Sequence, residues 1–193
     1  QVCPERTIIT TNSSYLLLSE IEDVVGRGDR MAAMHSYMGS PLVDIVGSDR
    51  TSADTIAALQ EYVKAINSVP LVLKKEYPGY VLNAILGPVM VTAMMLVAED
   101  LGSVEEVDRA WMRHRSAPMG PLGILDLIGL NLVYDSWQHR QDEGPIPGLR
   151  PRVLGLLQPL VEKHELGMST GKGFYRYPDP DYQKPGFVDG EAE

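Results

Sequence analysis

The chain has 193 residues, with 17 Lys and Arg against 26 Asp and Glu, which gives a net charge of −9. This length suits one large domain or two small ones with a buried core. The acidic balance argues against a nucleic-acid partner, because phosphates are bound by basic patches. A single cysteine, Cys3, excludes an internal disulfide and any multi-cysteine zinc site, and no metal site is expected. These features favour a soluble protein of the reducing cytoplasm.

The first third of the chain is predicted to mix strands and helices. Residues 1–14 carry no basic start leading into a long apolar stretch, so a secretory signal is not expected. Apolar periodicity, with Thr51 and Ser52 as helix caps, predicts the elements. The strands are Arg6–Thr11, Arg30–Met34, Leu42–Val46 and Val69–Leu73, and the helices are Leu16–Val25 and Thr51–Ile66.

Beyond Pro78 the pattern is helical only. The predicted helices are Tyr80–Leu101, one from the capping box at Ser103 to about Arg113, one or two within Pro121–Gln141 with a break near Gly129, and Pro151–Lys163. The predicted fold is therefore an α/β segment, a truncated Rossmann-like domain, followed by an all-α helical domain. We expect domains at residues 1–75 and 76–177, and an acidic flexible tail over 178–193.

One uncharged stretch, Tyr77–Ala98, is long enough to raise the question of a membrane span. Lys74 and Lys75 precede it, as a positive-inside flank would. Asn83 and Pro88 interrupt it, however, and the remaining chain is polar in character. A helix that is apolar all round also suits the centre of a helical domain or a subunit interface, and we expect one of these rather than a membrane contact.

A glycine-rich loop that cradles phosphates is absent. The Gly26-Arg27-Gly28 segment has Met31 at the third glycine position, and Gly171-Lys172-Gly173 is followed by Arg176. Neither segment follows a strand and opens a helix, so neither is a dinucleotide fingerprint.

His35 and Asp44 are the first candidates for chemistry. His35 ends an apolar strand, where open α/β sheets place ligands. Asp44 lies inside the next apolar strand, where a carboxylate needs a partner. A strand–turn–strand path could pair them as a general base and the carboxylate that stabilises its imidazolium. Alternatively, Asp44 faces water on an edge strand and His35 caps a loop.

Three more polar positions stand at element ends. Asn12, Ser13 and Ser14 follow the first strand, and such a cluster is typical of a helix cap for the segment near Leu16. Asn83 begins the long uncharged helix, where an amide is more often structural than a substrate donor. The other histidines are predicted to be exposed, and the methionines of the long helix to fill a core or interface: His114, His139, His164, Met90, Met94 and Met95.

Five segments in one order resemble the L-3-hydroxyacyl-CoA dehydrogenase family, over residues 10–177. They are Thr10-Thr11-Asn12-Ser13-Ser14, His35, Pro78-Gly79-Tyr80-Val81-Leu82-Asn83, the run from Pro118 to Leu130, and Thr170-Gly171-Lys172-Gly173-Phe174-Tyr175-Arg176-Tyr177. The Pro-Met-Gly-Pro-Leu and Thr-Gly-x-Gly-Phe-Tyr segments are the most specific of these.

This resemblance implies NAD-dependent oxidation of a 3-hydroxyacyl-CoA to the 3-ketoacyl-CoA, as in fatty-acid β-oxidation. By position, His35 matches the catalytic base, while Ser14 and Asn83 match the residues that hold the substrate oxygens. Asn12 and Ser14 are the residues of this chain expected near the cofactor. The family's helical domain carries its dimer interface, so a homodimer is also implied.

The sequence departs from the family pattern at several positions. Placing Asp44 where the family has glutamate requires a three-residue deletion, and without this gap the position is Gly47. Met38 replaces an asparagine that usually contacts the cofactor, Ala84 an arginine, and Ser169 a lysine. The glycine-rich half of the nucleotide domain has no counterpart, so the chain is expected to be the last part of that domain plus the whole helical domain.

Two alternatives remain open. One is a non-catalytic remnant that dimerises and binds acyl-CoA, which the missing loop, Met38 and Ser169 favour. The other is a related dehydrogenase that acts on a different 3-hydroxy acid.

Overall fold

The computed structural model describes residues 3–139 and 147–191. The chain divides into two compact units, Gln1–Leu86 and Gly87–Glu193. The first is a sheet with helices and the second is built from helices, so the fold class predicted from the sequence is confirmed.

The first unit is built on a four-stranded sheet in the order β1-β2-β3-β4. Its strands are β1 (Ile9–Thr11), β2 (Met31–Ser36), β3 (Leu42–Val46) and β4 (Val69–Val72). Strands β1 and β2 are parallel, β2 and β3 antiparallel, and β3 and β4 parallel. The antiparallel pair is joined by the short segment 37–41 and brings the ends of β2 and the middle of β3 together.

Two helices belong to this sheet, α1 (Leu18–Val25) and α2 (Ala53–Ala65). Helix α2 begins as predicted, because the Ser52 hydroxyl accepts a hydrogen bond from the Thr55 amide. Its apolar face packs Leu59 and Val63 against Val43 and Ile45 of β3. Burial of these apolar side chains fixes the register of β3, since a shift by one residue would turn them to solvent.

The start of α1 differs from the prediction. The Ser13 hydroxyl accepts a hydrogen bond from the Leu16 amide at 3.0 Å and so closes a turn, and the helix begins two residues later at Leu18. The long predicted helix is also shorter at both ends. It is α3 (Leu82–Ala98), because Tyr80 and Asp100 adopt the left-handed conformation with φ of 50° and 56°.

Four further helices follow in the second unit. They are α4 (Val104–Arg115), α5 (Pro121–Ile128), α6 (Leu130–Gln138) and α7 (Leu149–Glu162). The predicted break at Gly129 is confirmed, while the predicted extension to residues 140 and 141 lies outside the described residues. Helix α4 has the capping box expected from the sequence, with the Ser103 hydroxyl bonded to the Glu106 amide and the Glu106 carboxylate to the Ser103 amide.

The core of this second unit includes residues that follow the last helix. Tyr182 and Phe187 are 4% and 2% exposed and pack with Met94, Met112 and other side chains of the helices. Residues 178–191 therefore fold against the helical unit, which differs from the expected flexible tail because these two aromatic side chains bury their apolar area there.

The predicted surface and core residues of the helices can now be placed. The histidines at 114, 139 and 164 are exposed, and Met94 is buried with Met90 and Met95 packed beside it, as predicted. Within residues 3–139 and 147–191, no helix combines the length and apolar character needed to cross a membrane.

Candidate active site

His35 lies near the carboxyl end of β2 and is 3% exposed. Its imidazole is enclosed by two aromatic rings. The Tyr37 ring meets it edge-on with the ring centres 4.5 Å apart, and the Tyr80 ring lies on it with the centres 4.9 Å apart. These contacts restrict the rotation of the imidazole and fix the directions in which its two nitrogens point.

Asp44 lies opposite His35 in the antiparallel pair of β2 and β3. This register places Asp44 rather than Gly47 beside the histidine, as the alignment with a three-residue deletion predicts. Asp44 is 0% exposed, so it does not face water on an edge strand. His35 Nδ1 lies 3.7 Å from Asp44 Oδ2, which is an ion-pair distance but too long for a hydrogen bond.

Ser14 meets the other nitrogen of the imidazole. Its Oγ lies 2.8 Å from His35 Nε2, and the segment that carries it follows the carboxyl end of β1. Strands β1 and β2 are parallel neighbours, so their carboxyl ends lie at the same edge of the sheet. The order Ser14, His35, Asp44 is thus a continuous line across three elements.

Tyr37 is a site residue that the sequence analysis missed. Its hydroxyl donates a hydrogen bond to Asp44 Oδ2 and accepts one from the Leu82 amide at 3.1 Å. The signal that could have found it is its spacing, because side chains two residues apart along an extended chain share a face. Tyr37 follows His35 by two positions and therefore belongs on the same side of the sheet.

Tyr80 is the second residue that was missed, although it lies inside one of the recognised segments. The Gly79 amide donates to the Ser14 carbonyl oxygen at 2.6 Å, and the Tyr80 hydroxyl donates to the Ser13 carbonyl oxygen at 3.1 Å. Gly79 has a φ of 81°, a conformation that favours glycine. This turn holds the 78–83 segment against the loop that carries Ser14.

Asn83 lies in the first turn of α3 and is half-buried. Within the described part of the chain its side-chain amide makes no hydrogen bond, so it is not a hydrogen-bond partner of His35 here. Its backbone follows Leu82, whose amide is bonded to Tyr37. The amide is therefore carried next to the site and remains available to an added ligand.

The pKa values of these groups follow from burial and from one charge. Burial lowers the pKa of His35 below its ordinary value, and the nearby Asp44 carboxylate opposes part of this effect. Burial and the bond to Asp44 raise the pKa of Tyr37 to about 12. At neutral pH the imidazole of His35 and the hydroxyl of Tyr37 are therefore both uncharged.

Asn12 stands beside this line of residues at the end of β1. Its side-chain carbonyl oxygen accepts hydrogen bonds from the Ser36 amide at 2.9 Å and the Ser36 hydroxyl at 3.2 Å. The side-chain nitrogen is exposed and has no partner among the described residues. A donor of this kind at the carboxyl end of a strand suits a bound nucleotide. In residues 3–139 and 147–191 no three potential metal ligands lie close enough together to hold an ion.

Comparison with known proteins agrees with these features. The profile of the "3-hydroxyacyl-CoA dehydrogenase, NAD binding domain" matches residues 1–77, and that of the "3-hydroxyacyl-CoA dehydrogenase, C-terminal domain" matches residues 79–177. The chain belongs to the 3-hydroxyacyl-CoA dehydrogenase family.

Two relatives illustrate the similarity within this family. The human mitochondrial hydroxyacyl-coenzyme A dehydrogenase is 32% identical over 90% of this chain and 55% of its own length. The 3-hydroxybutyryl-CoA dehydrogenase of Clostridioides difficile is 35% identical over 92% of this chain and 63% of its own length. The chain thus spans between about half and two thirds of these dehydrogenases.

Solved structures of dehydrogenases and a reductase share the fold. The (S)-3-hydroxybutyryl-CoA dehydrogenase from Ralstonia eutropha superposes with a TM-score of 0.76 at 31% identity, covering 91% of this chain and 62% of that one. A diketoreductase studied for its catalysis of dicarbonyl compounds superposes with a TM-score of 0.79 at 34% identity, covering 90% of this chain and 61% of that one.

Proposed function

We propose that this chain supplies the catalytic base and the helical domain of an NAD-dependent dehydrogenase that oxidises L-3-hydroxyacyl-CoA to 3-ketoacyl-CoA. The observation that carries the proposal is the buried His35, with Nε2 2.8 Å from Ser14 and Nδ1 facing Asp44. A serine, a neutral imidazole and a carboxylate in line form a proton acceptor that is ready at neutral pH.

The proton of the substrate hydroxyl is taken by His35 Nε2, the nitrogen that meets Ser14. Burial keeps the imidazole uncharged beforehand because it lowers the pKa of His35. The Asp44 carboxylate stabilises the imidazolium that forms. The Ser14 hydroxyl and the Asn83 amide hold the substrate oxygens without adding charge.

NAD, when bound, would supply the acceptor for the hydride from C3 of the substrate. Asn12 and Ser14 are the residues of this chain that would hold it, because both lie at the carboxyl end of β1, and the Asn12 amide nitrogen is free to donate. No glycine-rich phosphate loop occurs in these 193 residues. We therefore expect the isolated chain to bind NAD weakly or not at all.

The test is formation of NADH from a 3-hydroxyacyl-CoA by the full product of the reading frame that contains these residues. His35→Ala is expected to lower kcat by about 10²- to 10⁴-fold, the contribution typical of a positioned general base. His139→Ala is the matched control, since that histidine is exposed on the second unit. Unchanged turnover in His35→Ala would overturn the assignment, and no turnover in the unaltered protein would favour the non-catalytic alternative.

A second candidate is a related enzyme that acts on a substrate without CoA. The structural similarity to a diketoreductase favours it. Comparing kcat/KM for reduction of a 3-ketoacyl-CoA with that for reduction of the matching free dicarbonyl compound, both with NADH, separates the two candidates. A preference for the free compound would replace the acyl-CoA proposal while keeping His35 as the base.

The assembly and location are proposals of the same kind. We infer that the protein forms a homodimer through the helical unit, supported by an apolar groove of about 520 Å³ lined by Val89, Thr92, Leu96 and Trp111 among others. A cytoplasmic location rests on the near absence of cysteine and is tested by fractionation of the native cells.

A further inference from the structure

The Asp44 carboxylate lies too far from the His35 imidazole to form a hydrogen bond with it. At 3.7 Å, Oδ2 of Asp44 and Nδ1 of His35 do not form a hydrogen bond. Nδ1 of His35 and Oδ1 of Asp44 are both buried and have no hydrogen-bond partner among the described residues. An aspartate is one methylene shorter than the glutamate that the family pattern has at this position, and the shorter turn before β3 does not close the gap.

The Asp44 carboxylate is bonded to the Tyr37 hydroxyl instead of to His35. This hydroxyl is the hydrogen-bond donor to the Asp44 carboxylate within the described residues, and Asp44 is 0% exposed, so water does not replace it. A buried carboxylate with one donor depends strongly on that donor. The position of the Asp44 charge is therefore fixed by Tyr37 as much as by β3.

Tyr37 is itself held on two sides. Its oxygen accepts from the Leu82 amide at 3.1 Å, and its ring edge lies against His35. The hydroxyl thus connects the carboxylate to the first turn of α3, which also carries Asn83. Loss of the hydroxyl would free the carboxylate without removing the ring that supports the imidazole.

We propose that Tyr37 is a positioning residue, whose hydroxyl holds the Asp44 carboxylate away from His35 and so limits how strongly that charge acts on the imidazole. The importance of Tyr37 for turnover rests on the proposed function. The effect of its hydroxyl on His35 does not depend on that function. The titratable groups that face His35 are Asp44 from β3, Tyr37 from the end of β2 and Tyr80 from the turn before α3. Burial raises the pKa of both tyrosines, so neither of them carries a charge at neutral pH.

The experiment is an NMR titration of His35 in the 193-residue chain, with its signal assigned by its loss in His35→Ala. In Tyr37→Phe the carboxylate loses its donor and turns to the imidazolium as its remaining partner. The pKa of His35 is expected to rise by about one unit, a tenfold change in its protonation equilibrium. Tyr62→Phe, which removes an exposed hydroxyl from α2, is the matched control and should leave that pKa unchanged.

A His35 pKa that is unchanged or lowered in Tyr37→Phe would overturn the proposal. Should that variant not fold, Asp44→Glu tests the same gap with Tyr37 intact, because the added methylene lets the carboxylate come closer to Nδ1 than 3.7 Å. The pKa of His35 is expected to rise in this variant too, and a value equal to that of the unaltered chain would overturn the proposal. Because this titration needs no turnover, it separates the role of Tyr37 from the dehydrogenase activity.

Discussion

At the scale of single residues, the site depends on a neutral imidazole whose basicity is set by its surroundings. Burial lowers the pKa of His35 and the Asp44 charge raises it, with burial the larger effect. The two effects serve different stages of a proton transfer. The first keeps the base free of a proton beforehand, and the second stabilises the cation once the proton has arrived.

Asp44→Asn tests this balance. Removal of the charge leaves burial unopposed, so the pKa of His35 falls further, and the acid limb of the kcat/KM profile moves to lower pH. The plateau of kcat/KM is expected to fall by up to about tenfold, because a base weaker by one pKa unit accepts a proton with about 1.4 kcal/mol less driving force. The pH dependence of NADH formation measures both effects.

The control for this change is Asp49→Asn, an exposed aspartate just after β3. Asp49→Asn should leave both the acid limb and the plateau of the kcat/KM profile unchanged. A limb that moves to higher pH in Asp44→Asn would contradict the account, since this is the direction expected of Tyr37→Phe. The opposite signs of the two variants distinguish an electrostatic role from general damage to the fold.

At the scale of elements, two buried aspartates explain why the most specific sequence segments have their composition. Asp108 of α4 accepts the Leu122 and Gly123 amides at 2.8 and 2.9 Å and so caps α5, whose preceding residue, Gly120, has no side chain to do so. A Cβ atom at Gly120 would lie 2.2 Å from Asp108 Cγ. The Pro-Met-Gly-Pro-Leu segment is therefore shaped by its contact with α4.

Asp126 of α5 explains the composition of the Thr-Gly-x-Gly-Phe-Tyr segment in a similar way. Its carboxylate accepts the Phe174 and Tyr175 amides, both at 2.9 Å, and the Tyr177 hydroxyl at 3.0 Å. A Cβ atom at Gly173 would lie 2.1 Å from Asp126 Oδ1. The Thr-Gly-x-Gly-Phe-Tyr segment thus attaches the chain after α7 to α5, which is a structural rather than a catalytic task.

Gly173→Ala is expected to destabilise the protein, since the added methyl group displaces a carboxylate with three hydrogen bonds. The free energy of unfolding should fall by about 3 kcal/mol or more, as for other losses of a buried network. Gly155→Ala in α7 is the matched control, because no atom lies within 4 Å of its Cβ position. In the control the free energy of unfolding should stay unchanged or rise by up to about 1 kcal/mol. Urea unfolding measures both, and equal effects would contradict this role of Gly173.

At the scale of the whole molecule, the uncharged stretch of the sequence is divided between a buried face and a groove. Ala93 and Met94 of α3 are buried in the core of the helical unit. Ala93 also borders the apolar groove, which is lined by further residues of the same helix and by residues of α4, including Val107 and Trp111. A groove of this character on a helical unit suits a second copy of the chain.

Thr92→Arg tests the proposed dimer. Thr92 is exposed and lines the groove, so a charged side chain there is tolerated in a monomer but is left unpaired in an interface. The dissociation constant of the dimer is expected to rise at least about 100-fold, which corresponds to about 2.8 kcal/mol. Sedimentation equilibrium measures this change. Val24→Arg on α1 is the control, since Val24 is 90% exposed on the first unit. If the unaltered protein is a monomer, the proposed dimer is contradicted.

The sequence by itself determined the order and type of the elements, the helix boundary at Gly129 and the candidates His35 and Asp44, while Ser14 became a candidate only through the family resemblance. Local patterns carry this information, because apolar periodicity, caps and turn residues act over a few positions. The pairing of His35 with Asp44 was one of two alternatives until the strand register was known, since a path of nine residues permits several registers.

Only the tertiary structure decided the contacts between distant segments. The Tyr37 hydroxyl reaches Asp44 and Leu82, the turn at Gly79 closes on Ser14, and Phe187 enters the helical core from a segment that reads as an acidic tail. Except for Tyr37 and Asp44, which are seven positions apart, the residues in these contacts are far apart in the chain, and each contact depends on distances of a few ångströms. A single sequence states which groups are present, but their separation, and with it the strength of each charge and hydrogen bond, is set by how the elements pack.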